Sequence, residues 1–305
     1  MSRPTRADAS GRAYLDLQNL ARHQRRPTQN LLVMYVLERF LARLAASPHV
    51  DDFVLKGGML LATWGARRAT TDVDLLVQGL PVNQDEILAI IIDIASQTPP
   101  HEDGVTFLTE TVTARTIRED DLYGGVRVTM QTQVAAARVK LQLDVSTGDP
   151  VTPAPQRISY PSLLRTHSPV SMLGYPLPVV LAEKLCTAID LGSNNSRVRD
   201  YADIWTLTGR HHLTRAGLRA ALEATATHRA VPLRPLSTAI GADYGASRSS
   251  TYTAYRRRLG PDAETLPTDW ARLIAEVLAF ADPLLAVTGV RYWDPATRRW
   301  SPNQG

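Results

Sequence analysis

The sequence predicts an α+β protein, a mixed sheet with flanking helices followed by a mainly helical C-terminal domain. Three observations carry this. Apolar residues recur at helical spacing in residues 28–47 and again in 84–96, on either side of two short apolar runs of strand type. Between residues 104 and 147 the period drops to two. There "VTFLTETVTARTI", "GVRVTMQTQV" and "ARVKLQLDVST" follow one another, rich in valine and threonine, and read as three antiparallel strands. Beyond Pro176 the pattern is almost wholly helical.

In chain order, residues 1–27 are polar, arginine-rich and proline-punctuated, and are expected to form a loosely ordered arm or a short helix. "TQNLLVMYVLERFLARLAAS" places Leu32, Tyr35, Val36, Phe40, Leu41 and Leu44 on one helical face behind a threonine cap, Thr28. "DFVLK" is a short strand, "GGMLLATWG" a helix opened by a glycine pair, and "TDVDLLV" a second strand. "NQDEILAIIIDIAS" is a helix opened by Asn83 with acidic residues in its first turn. "GDPVTPAPQRISYPSLL" has four prolines in seventeen residues and no helical period, which marks a boundary. The expected division is an arm over 1–27, a first domain over 28–160 and a helical domain over 161–305. The tail "VRYWDPATRRWS" carries a turn signal at Asp294-Pro295 and is expected to close as a hairpin.

Composition narrows the function classes. A chain of 305 residues with 44% hydrophobic content can bury a large core. No apolar run reaches the ~18 to 20 residues that cross a bilayer, and the first residues lack the apolar stretch of a signal peptide, so a cytoplasmic protein without a membrane partner is expected. Cys186 stands alone on a helical stretch and reads as a small buried hydrophobe, and the seven histidines lack zinc-ligand spacing. The first 150 residues hold sixteen basic and eighteen acidic side chains, the remainder eighteen and twelve, so the second half is the basic one. Three lysines, Lys56, Lys140 and Lys184, stand among thirty-one arginines.

The stretch "VLKGGMLLATWGARRATTDVDLLV" concentrates the chemistry. On a strand, residues two apart share a face, so Asp72 and Asp74 project together and repel unless a cation sits between them. Mg2+, which takes hard oxygens from one or two carboxylates plus substrate phosphates, suits that geometry. In "VKLQLDV", Asp144 shares the polar face of its strand. If that strand neighbours "TDVDLLV", Asp72, Asp74 and Asp144 converge into the three-carboxylate arrangement that serves in-line nucleotidyl transfer. Gly57 and Gly58 follow a strand and open a helix, so their N–H groups can meet a triphosphate at close approach. Lys56 precedes the glycines, and Arg67 and Arg68 precede the carboxylates. All three are candidates for phosphate contact. Lys184 flanks an apolar helical stripe, from which a lysine either reaches water or reaches a phosphate.

"GG", a short helix and "RRATTDVDLLV" together resemble the signature of the DNA polymerase β-type nucleotidyltransferases. Joined to "LAEKLCTAI" and "SRVRDYADIWTL", the pattern over about residues 30–210 is similar to the AbiEii/AbiGii-type toxins, a MenT-like, type IV toxin–antitoxin family. The resemblance implies a polymerase β-type mixed sheet with Gly57 and Gly58 as phosphate turn and Asp72 and Asp74 as metal ligands. It further implies Lys184 as a nucleotide contact and either Asp200 or Asp203 as a late catalytic acid. Thr70 and Thr71 stand where members often carry a serine, while Asp144 corresponds to a third carboxylate that this branch does not always keep. The implied activity is Mg2+-dependent transfer of a nucleoside monophosphate from an NTP to RNA, at the 3′ end of tRNA, with a cognate antitoxin as partner. Two alternatives remain open: modification of a protein or small-molecule hydroxyl, and an inactive module that binds nucleotide or antitoxin. For the acceptor, Arg256, Arg257 and Arg258 and the tail's Arg291, Arg298 and Arg299 beside Tyr292, Trp293 and Trp300 combine phosphate-binding cations with stacking rings; the other reading is that the arginine runs are solvated helix faces and the tail tryptophans seal the helical domain.

Overall fold

In a computed structural model of the chain, which describes residues 4–79, 83–99, 101–119, 123–148, 151–286 and 289–303, the first helix begins where Asp8 accepts the Gly11 N–H at 2.7 Å. It runs as α1 (Ala9–His23) and buries Ala13, Leu17 and Ala21. The expected arm is therefore a 15-residue helix, and its small-residue face packs on the next helix and on the sheet. α2 (Thr28–Ala46) follows with Pro27, not Thr28, at its cap position and no side-chain cap. Pro27 supplies a fixed φ just ahead of the first helical residue, so the threonine hydroxyl is not needed there.

The remaining elements of the first unit are β1 (Phe53–Lys56), α3 (Gly57–Leu60), β2 (Val73–Val77), α4 (Gln84–Ser96), β3 (Val105–Glu119), β4 (Tyr123–Val134), β5 (Ala137–Thr147), β6 (Gln156–Tyr160) and β7 (Val170–Gly174). Asn83 caps α4 as its sequence implies, accepting the Glu86 N–H at 2.8 Å. β3, β4 and β5 form the expected antiparallel meander. They belong to a seven-stranded mixed sheet of order β3-β4-β5-β2-β1-β7-β6. β5 runs parallel to β2, β2 antiparallel to β1, and β1 parallel to β7. α2 contacts α1, α4, β5 and β7, while α4 contacts β3 and β4. The residues that alternate inward, including Val128, Met130, Leu141, Leu143 and Val145, are buried with Tyr35, Phe40, Ile87 and Ile91 of these helices.

Two strands depart from the sequence reading. The proline-rich boundary stretch contains β6, and β7 follows it, so residues 156–174 belong with the sheet and the division falls after Gly174. The second unit comprises residues 150–155 and 175–305. Its elements are α5 (Leu177–Leu191), α6 (Val198–Thr208), β8 (Leu213–Thr214), α7 (Arg215–His228), α8 (Leu236–Ile240), α9 (Tyr244–Ser247), α10 (Ser249–Leu259), α11 (Trp270–Leu285), β9 (Tyr292–Asp294) and β10 (Arg299–Ser301). The tail closes as the expected hairpin, β9 with β10, and β8 adds a third strand. Cys186 is buried against the Leu222 carbonyl. No described helix is long and apolar enough to cross a membrane.

Candidate active site

Strand register assembles the first cluster. Lys56 pairs with Asp74 across β1 and β2, Asp74 with Asp144 across β2 and β5, Asp144 with Arg127 across β5 and β4, and Arg127 with Arg115 across β4 and β3. Directly paired residues on neighbouring strands point to the same face. One row of five charged side chains therefore crosses five strands, with the two carboxylates flanked by cations on both sides. Asp144 neighbours Asp74 as the sequence suggested, but Arg127 holds it bidentately through Nε and Nη2 at 2.6 and 2.5 Å. The Asp144 carboxylate, with Asp72 and Asp74 behind it, raises the pKa of the Arg127 guanidinium. Arg127 was not singled out from the sequence. The alternation of "GVRVTMQTQV" does place it on the polar face of β4.

Asp72 lies one residue ahead of β2, not within it. Thr70 Oγ1 donates to its Oδ1 at 2.9 Å, which fixes the carboxylate beside the strand end. Thr70 is buried and Thr71 exposed, and of the two threonines Thr70 is the one bonded to Asp72.

The glycine turn meets Asp74. Gly57 has φ +66°, a left-handed conformation suited to glycine, and a Cβ there would overlap the Asp74 carboxylate and lie 2.7 Å from Asp74 Cβ. The Gly58 N–H reaches Asp74 Oδ2 at 3.4 Å. A Cβ on Gly58 would stand 2.9 Å from Thr70 Oγ1 and 3.3 Å from the Arg68 guanidinium nitrogens. Gly57, Gly58, Arg68, Thr70, Asp72 and Asp74 thus form one close-packed group, with the buried Lys56 in register beside it. α3 is a single turn continued by a 3-10 turn to Trp64, so its contribution is local N–H groups and open backbone rather than a long helix dipole. Arg67 points elsewhere. It donates to the Pro161 carbonyl, lies 3.6 Å from Glu38 and stacks over the Tyr160 ring, so it braces the loop after β6 and does not join the group.

A second cluster lies wholly within the helical unit. Lys184 Nζ on α5 donates to Asp200 Oδ1 at 2.7 Å and to Asp203 Oδ2 at 2.9 Å, both on α6. The spacing of three puts both aspartates on one helical face, and the lysine joins them. With all three side chains largely buried, the ammonium is what lets two like charges share the site.

The sequence profile described as "Nucleotidyl transferase AbiEii toxin, Type IV TA system" matches residues 39–287. The chain belongs to the AbiEii nucleotidyltransferase toxin family. Among solved structures it is similar to MenT4, a nucleotidyltransferase toxin from Mycobacterium tuberculosis H37Rv, at 15% identity and a TM-score of 0.51, over 87% of this chain and 98% of that one. It is also similar to a putative nucleotidyltransferase from H. pylori (17% identity, TM-score 0.48, 83% of this chain and 93% of that one). The same holds for JHP933 from Helicobacter pylori (17%, 0.48, 89% and 91%). The MenT4 likeness supports the α+β nucleotidyltransferase fold. No curated protein sequence matches the chain.

AbiEii membership makes the chain a nucleotidyltransferase of the type IV toxin–antitoxin class, with an NTP substrate and an antitoxin partner implied. The matched residues end before the tail, and of the two readings of the tail its contacts favour the seal on the helical domain. Trp293 is buried and donates to the Thr208 carbonyl at 2.7 Å, and Trp300 donates to the Phe280 carbonyl at 2.9 Å while stacking on the Phe280 ring. Arg298 lies 3.8 Å over Trp205 and pairs with Glu276. These side chains seal the helical core because a three-stranded edge needs apolar cover. Arg256 donates to the Ala263 carbonyl, whereas Arg257, Arg258, Arg291 and Arg299 remain exposed.

Proposed function

We propose that the protein transfers a nucleoside monophosphate from an NTP to RNA, with the 3′ end of tRNA as acceptor and Mg2+ as cofactor. The observation that carries this is the contact of Asp74 with the glycine turn, since it puts a carboxylate where a triphosphate can approach bare backbone. The donor set fits a hard divalent cation: Asp72, held by Thr70, and Asp74, against the glycine turn, offer carboxylate oxygens, and magnesium takes one or two carboxylates together with substrate phosphates. When bound, the ion supplies charge stabilisation of the transferring phosphoryl group. Asp144 is not counted among the ligands in this proposal, because its two oxygens already accept from Arg127.

The chain's own residues then have distinct tasks. Asp72 and Asp74 hold the cation, and Thr70 orients Asp72. Gly57 and Gly58 let the turn's backbone come up against Asp74, Thr70 and Arg68, so that its N–H groups stand beside the cation site, and Arg68 and Lys56 offset the charge of the phosphates. Lys184, with Asp200 and Asp203, is proposed from the family pattern as a nucleotide contact held in place by its two carboxylates. Blocking the 3′ end of tRNA would arrest translation, which is what a toxin restrained by an antitoxin requires.

The test supplies each radiolabelled NTP in turn with Mg2+ and total tRNA to the wild type and to Asp72→Ala. Label on RNA that disappears with Asp72→Ala or with EDTA supports the reading. Label on protein, or on a small-molecule hydroxyl, would replace the acceptor. Tight NTP binding with no transfer to any acceptor would make the chain a binding module.

A further inference from the structure

β3, β4 and β5 turn one face to the helices and leave the other open. On the open face the registers align Thr113 with Thr129 and Gln142, Arg115 with Arg127 and Asp144, Gln131 with Lys140, and Gln133 with Arg138. Arg115, Gln131, Gln133, Arg138 and Lys140 are exposed. At these positions the one acid is Asp144, which Arg127 holds, and Glu119 follows only at the far end of β3, in register with Tyr123. Glu110 stands in the bulge between Leu108 and Thr113, outside the paired registers.

A polar outer face is ordinary for an antiparallel sheet. Its sign is not: Arg115, Arg138 and Lys140 form no ion pair with any described residue, in a unit whose first 150 residues carry more acids than bases. The cations also lead into the carboxylates. Arg115 lies three strands from Asp74, ~14 Å at the usual strand spacing, and Lys140 lies four residues along β5 from Asp144, again ~14 Å. Cations spread over an open surface at that range suit a chain of phosphates passing over the face, with its end at Asp74. The second unit's tail, by contrast, has its tryptophans and Arg298 inside the fold.

We infer that the open face of β3, β4 and β5 binds the phosphate backbone of the acceptor RNA. Arg115, Arg138 and Lys140 contact phosphates, and Gln131 and Gln133 are placed to hydrogen-bond ribose hydroxyls. The inference rests on RNA being the acceptor, and the experiment separates the two.

Binding of total tRNA is measured by filter retention over a range of KCl concentrations. The proteins are the full-length wild type, Arg115→Glu/Arg138→Glu/Lys140→Glu, the matching glutamine triple, and Arg257→Glu/Arg258→Glu on α10. The sheet-face reversal is expected to weaken binding on the order of tenfold or more. It should also flatten the plot of log affinity against log salt by about two, since each lost phosphate contact removes roughly 0.7 to 0.9. The glutamine triple should fall between, and the α10 variant should match the wild type. The rise in melting temperature with Mg2+ and each NTP, measured on the same proteins, shows whether each variant is folded with its triphosphate site intact. Unchanged tRNA affinity in both sheet-face triples overturns the inference and leaves the RNA reading standing, as does loss of binding in the α10 variant alone. A wild type that does not bind tRNA, but transfers nucleotide to another acceptor, overturns both.

Discussion

Gly57 and Asp74 are in contact: the turn that ends β1 and the carboxylate that projects from β2 leave no room between them for even a methyl group. The close approach explains why glycine stands there and why the aspartate follows at that distance, because β2 returns antiparallel to β1 with Lys56 opposite Asp74. The first prediction follows from it. Gly57→Ala adds a Cβ at φ +66°, a strain of about 1–2 kcal/mol, and pushes Asp74 aside. A displacement of this order in a catalytic group costs about a hundredfold in rate. Nucleotide transfer should fall by that much while circular dichroism still reports a folded protein. Near-normal transfer would show that Asp74 need not rest on the turn.

Thr70 and Thr71 separate cleanly. Thr70→Val removes the hydroxyl that donates to Asp72, and about 1.4 kcal/mol, a tenfold loss of transfer, is expected. Thr70→Ser should keep most activity. Thr71→Val, at an exposed position, should change stability by less than about 0.5 kcal/mol and leave transfer unchanged. Equal effects at the two positions in a steady-state assay would contradict the geometry.

Arg127 and Asp144 form a largely buried pair, and removing one partner strands the other. Arg127→Met is expected to cost about 2–3 kcal/mol in urea unfolding, somewhat less than a fully buried pair because the arginine is about a quarter exposed (27%). Arg127→Met combined with Asp144→Leu should recover most of that. Asp144→Asn should leave Mn2+ affinity nearly unchanged, whereas Asp74→Asn should reduce it at least about tenfold. Loss of Mn2+ binding in Asp144→Asn would restore Asp144 as a ligand.

Lys184 needs the same separation of folding from function. Lys184→Met leaves Asp200 and Asp203 buried without their ammonium, at a cost of about 3 kcal/mol. Adding Asp200→Asn and Asp203→Asn should return the urea midpoint toward the wild type. NTP binding by calorimetry should stay lost in both variants. Its return in the triple variant would reduce Lys184 to a structural role.

Burial pushes the Cys186 thiol up to about 12. A group whose folded pKa exceeds its unfolded one stabilises the fold below the unfolded value and ceases to do so as pH rises toward the folded value. The thiol therefore contributes alkaline lability from about pH 8.5 upward. At pH 8 the native protein should resist Ellman's reagent, and the thiol should react fully once urea unfolds the chain. Rapid native reaction would place Cys186 at the surface.

Much of this was legible in the sequence, for identifiable reasons. Strand alternation put Asp74 and Asp144 on one face, and the glycine pair marked the turn that Asp74 meets, but Asp72 stands one residue ahead of β2, where alternation does not place it. The spacing of Asp200 and Asp203 placed both on one side of α6 but could not choose between them, and the structure shows why: Lys184 binds both. Arg127 escaped notice because its pairing depends on register. The β4–β5 hairpin turns through Ala135 and Ala136, with Ala135 at φ 51°, and not through the asparagine–glycine type that signals a tight turn. β6 and β7 escaped because they are short, and proline-rich flanks mask their alternation. For the tail rings the sequence leaves two readings open, an RNA surface and a seal on the helical domain, because it cannot tell an aromatic that stacks on a base from one that covers a hairpin; the burial of Trp293 and the Trp300–Phe280 stack favour the seal.

The most direct measurement is a crystal structure with Mn2+ and a nonhydrolysable nucleoside triphosphate, read by anomalous scattering. The account predicts manganese between Asp72 and Asp74, with phosphate oxygens against Gly57 and Gly58. Manganese away from both aspartates, with the triphosphate bound elsewhere on the sheet, would contradict it.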